Sequence, residues 1–552
     1  IYNNSIIMKK SFKVLAAAVM AFAAVACSSV EKMAEMAENV AVDCNPAVLE
    51  AVAGNIDAAI TVTYPEGYFH PKAILEVTPV IVYEGGEQAA AKFMYQGEKV
   101  KDNYKVVAKD GGVVKENVHF TYVPGMENSY LELRGVAKYK NKSVNLPSKK
   151  VADGVNTTYM LVKSDGTLSY KADDYQEIIP QTAEGQILYT INSSDVRSSQ
   201  LKGDSVKDFQ AALDEINANE RKTLTGTEVV AYASPDGKED HNAKLSDKRA
   251  ASANKAWTKV VKGHEASDPE VKSVGEDWEG FQALVNESNI QDKDLILRVL
   301  SMYSDPAVRE SEIKNMSEIY KELKGEVLPE LRRARFIANV EYKNYTKEEL
   351  LQLINENSDV LDEEALLRVA TLVPAEQKPA VYQKAVDKYN SARAAYNLAV
   401  AYLNLGQNDK AESALAKCAS DADVINAQGV LALRKGDLKG AAAKFAAAGN
   451  DEAKANQGVV DILSGNYAKA VENLKDAKGC CHNTVLAYIL NGQLDKAEAA
   501  AKCKDYPVQY LKAIIAARQG KAADAKEFLK VASESEKFAA RAAKDVEFAG
   551  LK

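Results

Sequence analysis

Apolar and polar residues alternate along the first folded part of the chain. Between Ala58 and Lys163, short runs such as AITVTY, AILEVTPVIVY and VHFTYV are separated by turn sequences rich in glycine. Such strands, broken by turns at intervals of roughly 8 to 12 residues, are typical of a sandwich or barrel. The pattern predicts an all-β, sandwich-like domain over residues 46–185. Its tyrosines, Tyr64 and Tyr68 among them, either cover the sheet or form a binding face.

Strands and helices alternate in the next part of the chain, residues 186–345. ILYTI and TEVVAY are predicted strands, and the apolar residues of DSVKDFQAALDEINAN recur at helical spacing. A second helix is predicted over Leu245–Val261, and ARFIANVEY predicts a closing strand. Residues 278–331 have a mostly helical pattern and come before that strand. The pattern therefore predicts an α/β domain with a helical insertion.

The last part of the chain, residues 346–552, repeats itself. A glycine recurs every 27 to 30 residues, and an alanine follows each glycine five residues later. This spacing predicts pairs of helices, with glycine in the turn and a small residue where the second helix crosses the first. The glycines are Gly406, Gly436, Gly465, Gly492 and Gly520, and the alanines are Ala411, Ala441, Ala470, Ala497 and Ala525.

The N-terminus has the layout of an export signal. Three lysines precede an apolar run from Val14 to Ala26, which is too short to span a bilayer, since spanning needs ~20 residues. We predict a signal peptide over residues 1–26, of which residues 1–7 are an upstream extension before Met8. Loss of the three lysines would change the formal net charge from −8 to −11.

The end of the predicted signal peptide, Ala24-Val25-Ala26-Cys27, resembles the lipobox of bacterial lipoproteins. The resemblance implies that the Cys27 thiol receives diacylglycerol and that residues 27–45 form a lipidated tether. At ~0.8 kcal/mol per buried methylene, two or more acyl chains give stable anchoring without a transmembrane helix. The alternative is ordinary secretion without acylation.

The C-terminal repeats resemble tetratricopeptide repeats. The resemblance is closest in NLAVAYLNLGQNDKAESALAKC, where Tyr402, Gly406 and Ala411 fall at signature positions, and Gly436 and Ala441 do so in the next repeat. It implies a C-terminal all-α solenoid. The groove of such a solenoid would bind protein partners.

The segment VVAYASPDGKEDHNAKLSDKRAASANKAW resembles the OmpA-like peptidoglycan-binding domain. In that family an aspartate and an arginine clamp the diaminopimelate group of a stem peptide through its ammonium and its carboxylate. Asn242 and Arg249 match the family pattern, Ser234 stands at the aspartate position, and Asp236 is the predicted substitute. The resemblance implies a peptidoglycan stem peptide as ligand. The alternative is that Asn242 caps the helix and Arg249 pairs with a nearby acid.

Patterns typical of catalysis and metal binding are missing from the sequence. The five histidines lie far apart, and Cys480-Cys481-His482 has no second ligand pair at zinc spacing, so these cysteines are predicted to pack helices. We predict no catalytic residue, no cofactor and no metal. Because the chain is acidic and has no basic cluster, nucleic acid is disfavoured as a partner.

These observations predict a non-enzymatic outer-membrane lipoprotein on the periplasmic side, which links the envelope to peptidoglycan and binds protein partners through its repeats. The alternative is an accessory or assembly lipoprotein of an outer-membrane complex that no longer binds peptidoglycan. A glycan-handling enzyme is disfavoured, because both tryptophans, Trp257 and Trp278, lie in the α/β segment and not in the β domain.

Overall fold

The computed structural model describes residues 30–478 and 481–551. The predicted signal peptide, residues 1–26 with the extension 1–7, lies outside the described residues, as does the predicted lipidation site Cys27. Within the described ranges, no helix is both long enough and apolar enough to cross a membrane.

The first part of the chain is a short helix, α1 (Val30–Glu35), followed by a sheet of eleven strands. The strands are β1 (Ala41–Asn45), β2 (Val48–Val52), β3 (Asn55–Tyr64), β4 (Ile74–Tyr83), β5 (Gly86–Ala89), β6 (Phe93–Gly97), β7 (Lys105–Val107), β8 (Gly112–Thr121), β9 (Ser129–Tyr139), β10 (Lys142–Asn145) and β11 (Lys149–Asn156). The main path of the sheet runs β1-β3-β2-β11-β9-β4-β6-β7. Strand β1 lies within residues 27–45, which the sequence predicted to be a tether.

The alternating pattern produces strands with one buried face, as predicted. In β3, Ile56, Ala58, Ile60, Val62 and Tyr64 are buried and the residues between them are not. The all-β prediction is confirmed, but the strands form one curled sheet and not a sandwich. Strand β2 pairs antiparallel with β3 and parallel with β11. It therefore joins the part of the sheet that contains β3 to the part that contains β11. Alternation specifies which face of a strand is buried but not how many sheets the strands form.

Two tyrosines that the sequence offered for a sheet covering or a binding face lie in the interior of the sheet. Tyr64 and Tyr68 are 4% and 2% exposed, and their rings stack with centroids 5.4 Å apart. These two tyrosines therefore belong to the hydrophobic core and form neither a sheet covering nor a binding face.

The middle of the chain contains a sheet of four strands with helices between them. Its elements are β12 (Ile178–Leu188), α2 (Asp204–Ala218), β13 (Lys222–Ala233), α3 (Glu239–Val260), β14 (Glu270–Glu276), α4 (Trp278–Glu287), α5 (Lys293–Met302), α6 (Pro306–Asn315), α7 (Ser317–Glu326), β15 (Arg333–Lys343), α8 (Lys347–Glu356), α9 (Glu363–Leu372) and α10 (Lys378–Tyr389). The strand order is β12-β15-β13-β14, and only β13 and β14 are parallel neighbours within this sheet. The sheet begins at Ile178, eight residues before the predicted boundary at 186.

Helices α2 and α3 bury aromatic residues against the four-stranded sheet. The rings of Phe209, Trp257 and Phe336 lie with centroids 5.8 to 6.3 Å apart. Helices α4 to α7 fill the stretch between β14 and β15 and have a hydrophobic core of their own around Phe281 and Leu323. The helical insertion thus lies where the sequence pattern predicted helices.

The C-terminal part consists of pairs of helices, which confirms the prediction of a helical-repeat region. The helices are α11 (Ala392–Asn404), α12 (Asn408–Leu415), α13 (Ala422–Arg434), α14 (Leu438–Ala448), α15 (Asp451–Leu463), α16 (Tyr467–Leu474), α17 (His482–Leu490), α18 (Leu494–Ala500), α19 (Tyr506–Arg518), α20 (Ala522–Ala532) and α21 (Glu536–Ala542). A 3-10 turn, Val546–Leu551, follows them.

The chain divides into two compact units. The first unit comprises the described residues up to Lys171 together with those from Val386 onward, and the second unit is Ala172–Ala385. The sequence predicted separate domains over 46–185 and 346–552. The structure instead combines most of both in the first unit, and it assigns α8 and α9 to the second unit.

One hydrophobic core explains why the β-sheet and the later repeats fold together. Leu49 and Ile56 of the sheet belong to the same buried cluster as Ile489 and Ile514 of the repeats. At Gly465, a Cβ atom would lie 2.5 Å from Cγ1 of Val52, so only glycine allows this approach.

A buried carboxylate joins the C-terminal turn to the sheet. Glu547 accepts hydrogen bonds from Arg518 Nη2 at 2.5 Å, Thr158 Oγ1 at 2.6 Å and Asn156 Nδ2 at 2.8 Å. Burial by itself raises the pKa of Glu547, but the charge of Arg518 and these hydrogen bonds outweigh burial and hold the pKa below its ordinary value.

Candidate functional site

Each helix pair of the repeats turns at a glycine. Gly406, Gly436, Gly465, Gly492 and Gly520 all have positive φ, between +71° and +80°. This conformation is easy for glycine and strained for other residues, so the repeated glycine fixes the turn. The alanines five residues later, Ala411, Ala441, Ala470, Ala497 and Ala525, are fully buried. Tyr402 is half-buried on α11.

The first helices of the pairs present an asparagine at an equivalent place. Asn397, Asn426, Asn456 and Asn483 lie on α11, α13, α15 and α17, and each comes nine or ten residues before a turn glycine. Asn397, Asn426 and Asn456 are at most 1% exposed. We call the surface formed by these four helices the groove.

The groove is filled by the chain itself. Residues 161–171, here called the groove segment, leave the β-sheet region and run along all four helices. At Lys163, Thr167 and Lys171 one asparagine side chain binds both the N–H and the C=O of the same residue. The distances are 2.9 and 2.8 Å for Asn483, 2.6 and 3.0 Å for Asn456, and 2.8 and 2.9 Å for Asn397.

These paired hydrogen bonds recur every four residues of the groove segment. The segment runs against the order of the repeats, from α17 at Lys163 to α11 at Lys171. An extended segment advances ~3.3 Å per residue, so four residues cover ~13 Å from one pair of hydrogen bonds to the next. Asn426 joins the series by donating to Thr167 O at 3.1 Å and accepting from Asn456 Nδ2 at 2.9 Å.

Side chains of the groove segment fit particular places in the groove. At Gly166, where φ is +87°, a Cβ atom would lie 2.5 Å from Cγ1 of Val430, so no larger residue fits. Leu168 packs against two buried clusters of the repeats, one around Tyr396 and one around Val430. Lys171 Nζ forms ion pairs with Asp421 at 2.5 Å and Asp423 at 3.7 Å.

Two further side chains of the repeats form hydrogen bonds with carbonyl groups of the segment. Arg434 donates from Nε and Nη2 to the carbonyl of Asp165, at 3.0 and 2.5 Å. His482 Nε2 lies 2.7 Å from the carbonyl of Leu161. Burial lowers the pKa of His482 to about 4, so the imidazole is neutral near pH 7 and donates this hydrogen bond.

The sequence predicted a groove that binds protein partners, and the structure fills that groove with a segment of the same chain. The asparagines were not predicted. A signal for them exists: a polar residue recurs with the period of the glycines on helix faces that are otherwise apolar, which indicates a buried polar contact.

The residues predicted to bind peptidoglycan lie together in the second unit. Ser234 Oγ donates to Asp236 Oδ1 at 2.6 Å, and Asn242 Nδ2 donates to the carbonyl of Ser234 at 3.2 Å. Asn242 also donates to Glu276 Oε1 at 2.8 Å and makes no cap to α3, whose N-terminal residue is Glu239.

Arg249 supports the loops around this cluster. It is 1% exposed, and its guanidinium donates to the carbonyls of Ser193, Tyr232 and Thr190 at 3.0, 2.9 and 3.4 Å. Its partners are thus carbonyl oxygens and not the acid that the sequence suggested. Burial lowers the pKa of Arg249 to about 10, which leaves it charged near neutral pH.

An arginine that was not predicted completes the cluster. Arg332, directly before β15, donates from Nη2 to Asp236 Oδ2 at 3.2 Å and from Nε to Ser234 Oγ at 3.3 Å. The side chains of Arg332 and Asp236 are 13% and 14% exposed, so this ion pair reaches the surface. Its position just before the predicted strand ARFIANVEY gave no indication of this role.

No family of known proteins and no curated protein matches the chain. Among solved structures, it is similar to a tetratricopeptide repeat protein from Parabacteroides merdae ATCC 43184, with a TM-score of 0.28 and 15% identity over 34% of this chain and 84% of that one. It is also similar to a chain of the APC/C hetero-tetramer Cut9-Hcn1, with a TM-score of 0.29 and 13% identity over 59% of this chain and 56% of that one. TM-scores this low carry no argument about the fold. The repeat architecture therefore rests on the helix pairs described above.

Proposed function

We propose that the protein is a non-enzymatic scaffold of the bacterial cell envelope, anchored in the outer membrane through an acylated Cys27 and facing the periplasm. The observation that carries the scaffold role is the groove filled by residues 161–171. A repeat array that holds its own chain along four helices joins the β-sheet and the repeats into one folded unit.

The filled groove changes where protein partners of the scaffold would bind. The groove segment is covalently connected at both ends, which gives it a high effective concentration at the groove. A partner that needed the groove would compete with this segment at a disadvantage. Protein partners therefore bind other surfaces of the repeats or of the β-sheet.

We place the contact with peptidoglycan at the ion pair of Asp236 and Arg332, with Ser234 and Asn242 shaping the turn. A stem peptide with a diaminopimelate group presents an ammonium and a carboxylate side by side. The Asp236 carboxylate is suited to the ammonium and the Arg332 guanidinium to the carboxylate. Arg249 positions the turn through its carbonyl contacts.

Binding to isolated peptidoglycan sacculi tests this placement. We expect Asp236→Asn and Arg332→Gln each to weaken co-sedimentation about tenfold or more, since a hydrogen bond to a charged group contributes ~1.5 to 3 kcal/mol. Asp268→Asn is the matched control, because Asp268 is an exposed acid of the same unit. Tryptophan fluorescence checks that each variant is folded. Equal sedimentation of all four proteins would contradict the placement.

The lipid anchor is tested separately. In cells fed a labelled fatty acid, we expect the wild-type protein to carry the label and to fractionate with the outer membrane, and Cys27→Ser to lose both properties. Cys418→Ser, which changes a partly buried thiol of the repeats, should behave as the wild type. A labelled Cys27→Ser protein would show that acylation occurs elsewhere.

The alternative function is an accessory lipoprotein of an outer-membrane complex that does not bind peptidoglycan. One observation favours it. Asp236 and Arg332 already form an ion pair with each other, and a ligand would have to separate them. Wild-type protein that is acylated but does not sediment with sacculi would establish this alternative.

A further inference from the structure

Two cysteines face each other in the fourth helix pair of the repeats. Cys481 directly precedes α17, and Cys503 follows α18. Their Sγ atoms are 2.8 Å apart, and both side chains are partly buried. A disulfide bond needs the two Sγ atoms ~2.05 Å apart, and these atoms are less than about 1 Å from that distance.

We propose that Cys481 and Cys503 form an intramolecular disulfide in the exported protein. The setting rests on the proposed function, because disulfides persist in oxidising compartments such as the periplasm. The oxidant is a second disulfide, either of a protein or of a small molecule. One cysteine thiolate attacks it, which forms a mixed disulfide and releases one thiolate. The thiolate of the other cysteine then attacks the protein sulfur and releases the second.

The exchange between the two cysteines and the oxidant disulfide balances in electrons and protons. The protein loses two protons and two electrons and gains one S–S bond, and the oxidant accepts the two electrons as its own disulfide is broken into two thiols.

The cross-link would fasten one end of the groove. It joins the beginning of α17 to the chain after α18, 22 residues further on. The same end of α17 presents His482, which binds the carbonyl of Leu161, and Asn483, which binds Lys163 twice. A disulfide here restricts the unfolded states of the helix pair and so holds the groove segment more firmly.

The other described cysteines are differently placed. Cys44 is 5% exposed in β1, and burial raises the pKa of its thiol to about 11. Cys418 lies in the first helix pair, where burial raises the pKa of its thiol. The pKa of Cys503 is raised as well, through its hydrogen bond with Cys481, so the short distance between the two Sγ atoms is what distinguishes this pair. Cys480 lies outside the described residues, so the experiment must distinguish it from Cys481.

Peptide mapping of the full chain tests the proposal. Reduced, purified protein is exposed to oxidised glutathione under native conditions, remaining thiols are blocked with N-ethylmaleimide, and peptides are identified by mass spectrometry. We expect a peptide containing Cys503 linked to one containing Cys481, in the wild type and in Cys480→Ser. The link should be lost in Cys481→Ser. The proposal would be overturned if the peptide containing Cys503 stayed cross-linked in Cys481→Ser. It would also be overturned if N-ethylmaleimide fully blocked the thiols of Cys481 and Cys503 in Cys480→Ser.

A second readout follows the consequence for the groove. Oxidised wild-type protein should be cut by trypsin after Lys163 about tenfold more slowly than reduced protein, and Cys481→Ser should show no such difference. Equal cutting of oxidised and reduced wild type would contradict the fastening of the groove.

Protein taken directly from cells separates this proposal from the proposed location. If the bond forms with oxidised glutathione but the cysteines are reduced in cells, the assignment of the pair stands and the periplasmic location is wrong. If the bond does not form with oxidised glutathione, the pairing itself is wrong, wherever the protein resides.

Discussion

Asn456→Ala will release the groove segment and expose it to trypsin. Asn456 is fully buried and its Oδ1 is the partner of the Thr167 N–H, at 2.6 Å. The variant loses two hydrogen bonds to Thr167 and one to Asn426, each contributing ~0.5 to 1.5 kcal/mol, and ~2 kcal/mol corresponds to about thirty-fold more frequent opening. Because the segment contains Lys163 and Lys171, the rate of tryptic cleavage at these lysines, followed by mass spectrometry, measures the opening.

Asn473→Ala is the matched control for this experiment. Asn473 belongs to the same helix pair and donates to Asp461 Oδ2 at 2.8 Å, away from the segment. We expect it to leave the cleavage rates at Lys163 and Lys171 nearly unchanged. If Asn456→Ala lowers the thermal midpoint but leaves these rates at the wild-type value, then Asn456 stabilises the repeats and does not hold the segment.

Glu547→Gln will destabilise the first unit by about 3 kcal/mol. Removing the charge of one partner of a buried ion pair leaves the other charge uncompensated, which typically costs ~3 to 5 kcal/mol. Arg518 retains 26% exposure of its side chain, so the lower end of this range applies. The measurement is urea unfolding followed by circular dichroism.

The two tryptophans give this experiment an internal control. Trp257 and Trp278 are the only tryptophans of the chain, and both lie in the second unit. The variant should therefore shift the circular dichroism transition and leave the tryptophan fluorescence transition in place. Glu527→Gln, at an exposed position of α20, should shift neither. An unshifted circular dichroism transition in Glu547→Gln would contradict the role of Glu547.

The pH dependence of the Glu547→Gln effect has a definite sign. The pKa of Glu547 is held below its ordinary value of 4.5 in the folded protein, so its contribution is complete above that value and is lost as the pH falls through the folded pKa. The difference between wild type and variant should therefore shrink below about pH 4.5. Burial raises the pKa of nearby Glu50 and Asp545, which titrate in the opposite sense. The charge of Glu547 is itself one cause of both raised pKa values, so Glu547→Gln lowers them, and part of their contribution remains in the difference between the two proteins.

The glycines of the repeats were predictable because their constraint is local. Gly406 and Gly436 each need a positive φ in a tight turn, and glycine is the residue that adopts it without strain. Ala411 and Ala441 were predictable for a similar reason, because a small residue is needed where the two helices of a pair pack closely. The regular spacing of these residues is therefore enough to indicate the helix pairs.

The filling of the groove was not predictable from local patterns. The groove segment resembles an ordinary loop in sequence, with charged residues, two serines and Gly166 between the β-sheet and the next strand. Its role depends on hydrogen bonds with Asn397 and Asn456, which follow more than 200 residues later in the sequence. The period of the asparagines indicates a buried polar contact but does not identify the distant segment that makes it, so neither the segment nor the union of sheet and repeats could be inferred.

The candidate site in the second unit was partly predictable. The strand, turn and helix motif placed Ser234, Asp236, Asn242 and Arg249 close together in sequence, and the structure brings them together in space. Arg332 joins them only because β15 lies between β12 and β13 in the sheet. Strand order is a property of the whole domain, and one sequence pattern does not specify it.

The route of the chain has a consequence for how the protein acquires its structure. The first 171 residues emerge from the ribosome long before the helices that receive them, and Asn156 meets Glu547 across 391 positions. Loop closure over such distances slows assembly, so the hydrophobic core that the β-sheet shares with the repeats remains incomplete until the later helix pairs have been synthesised. A chain that stopped before these helices would leave apolar side chains of this shared core, Leu49 and Ile56 among them, without their packing partners and available for aggregation.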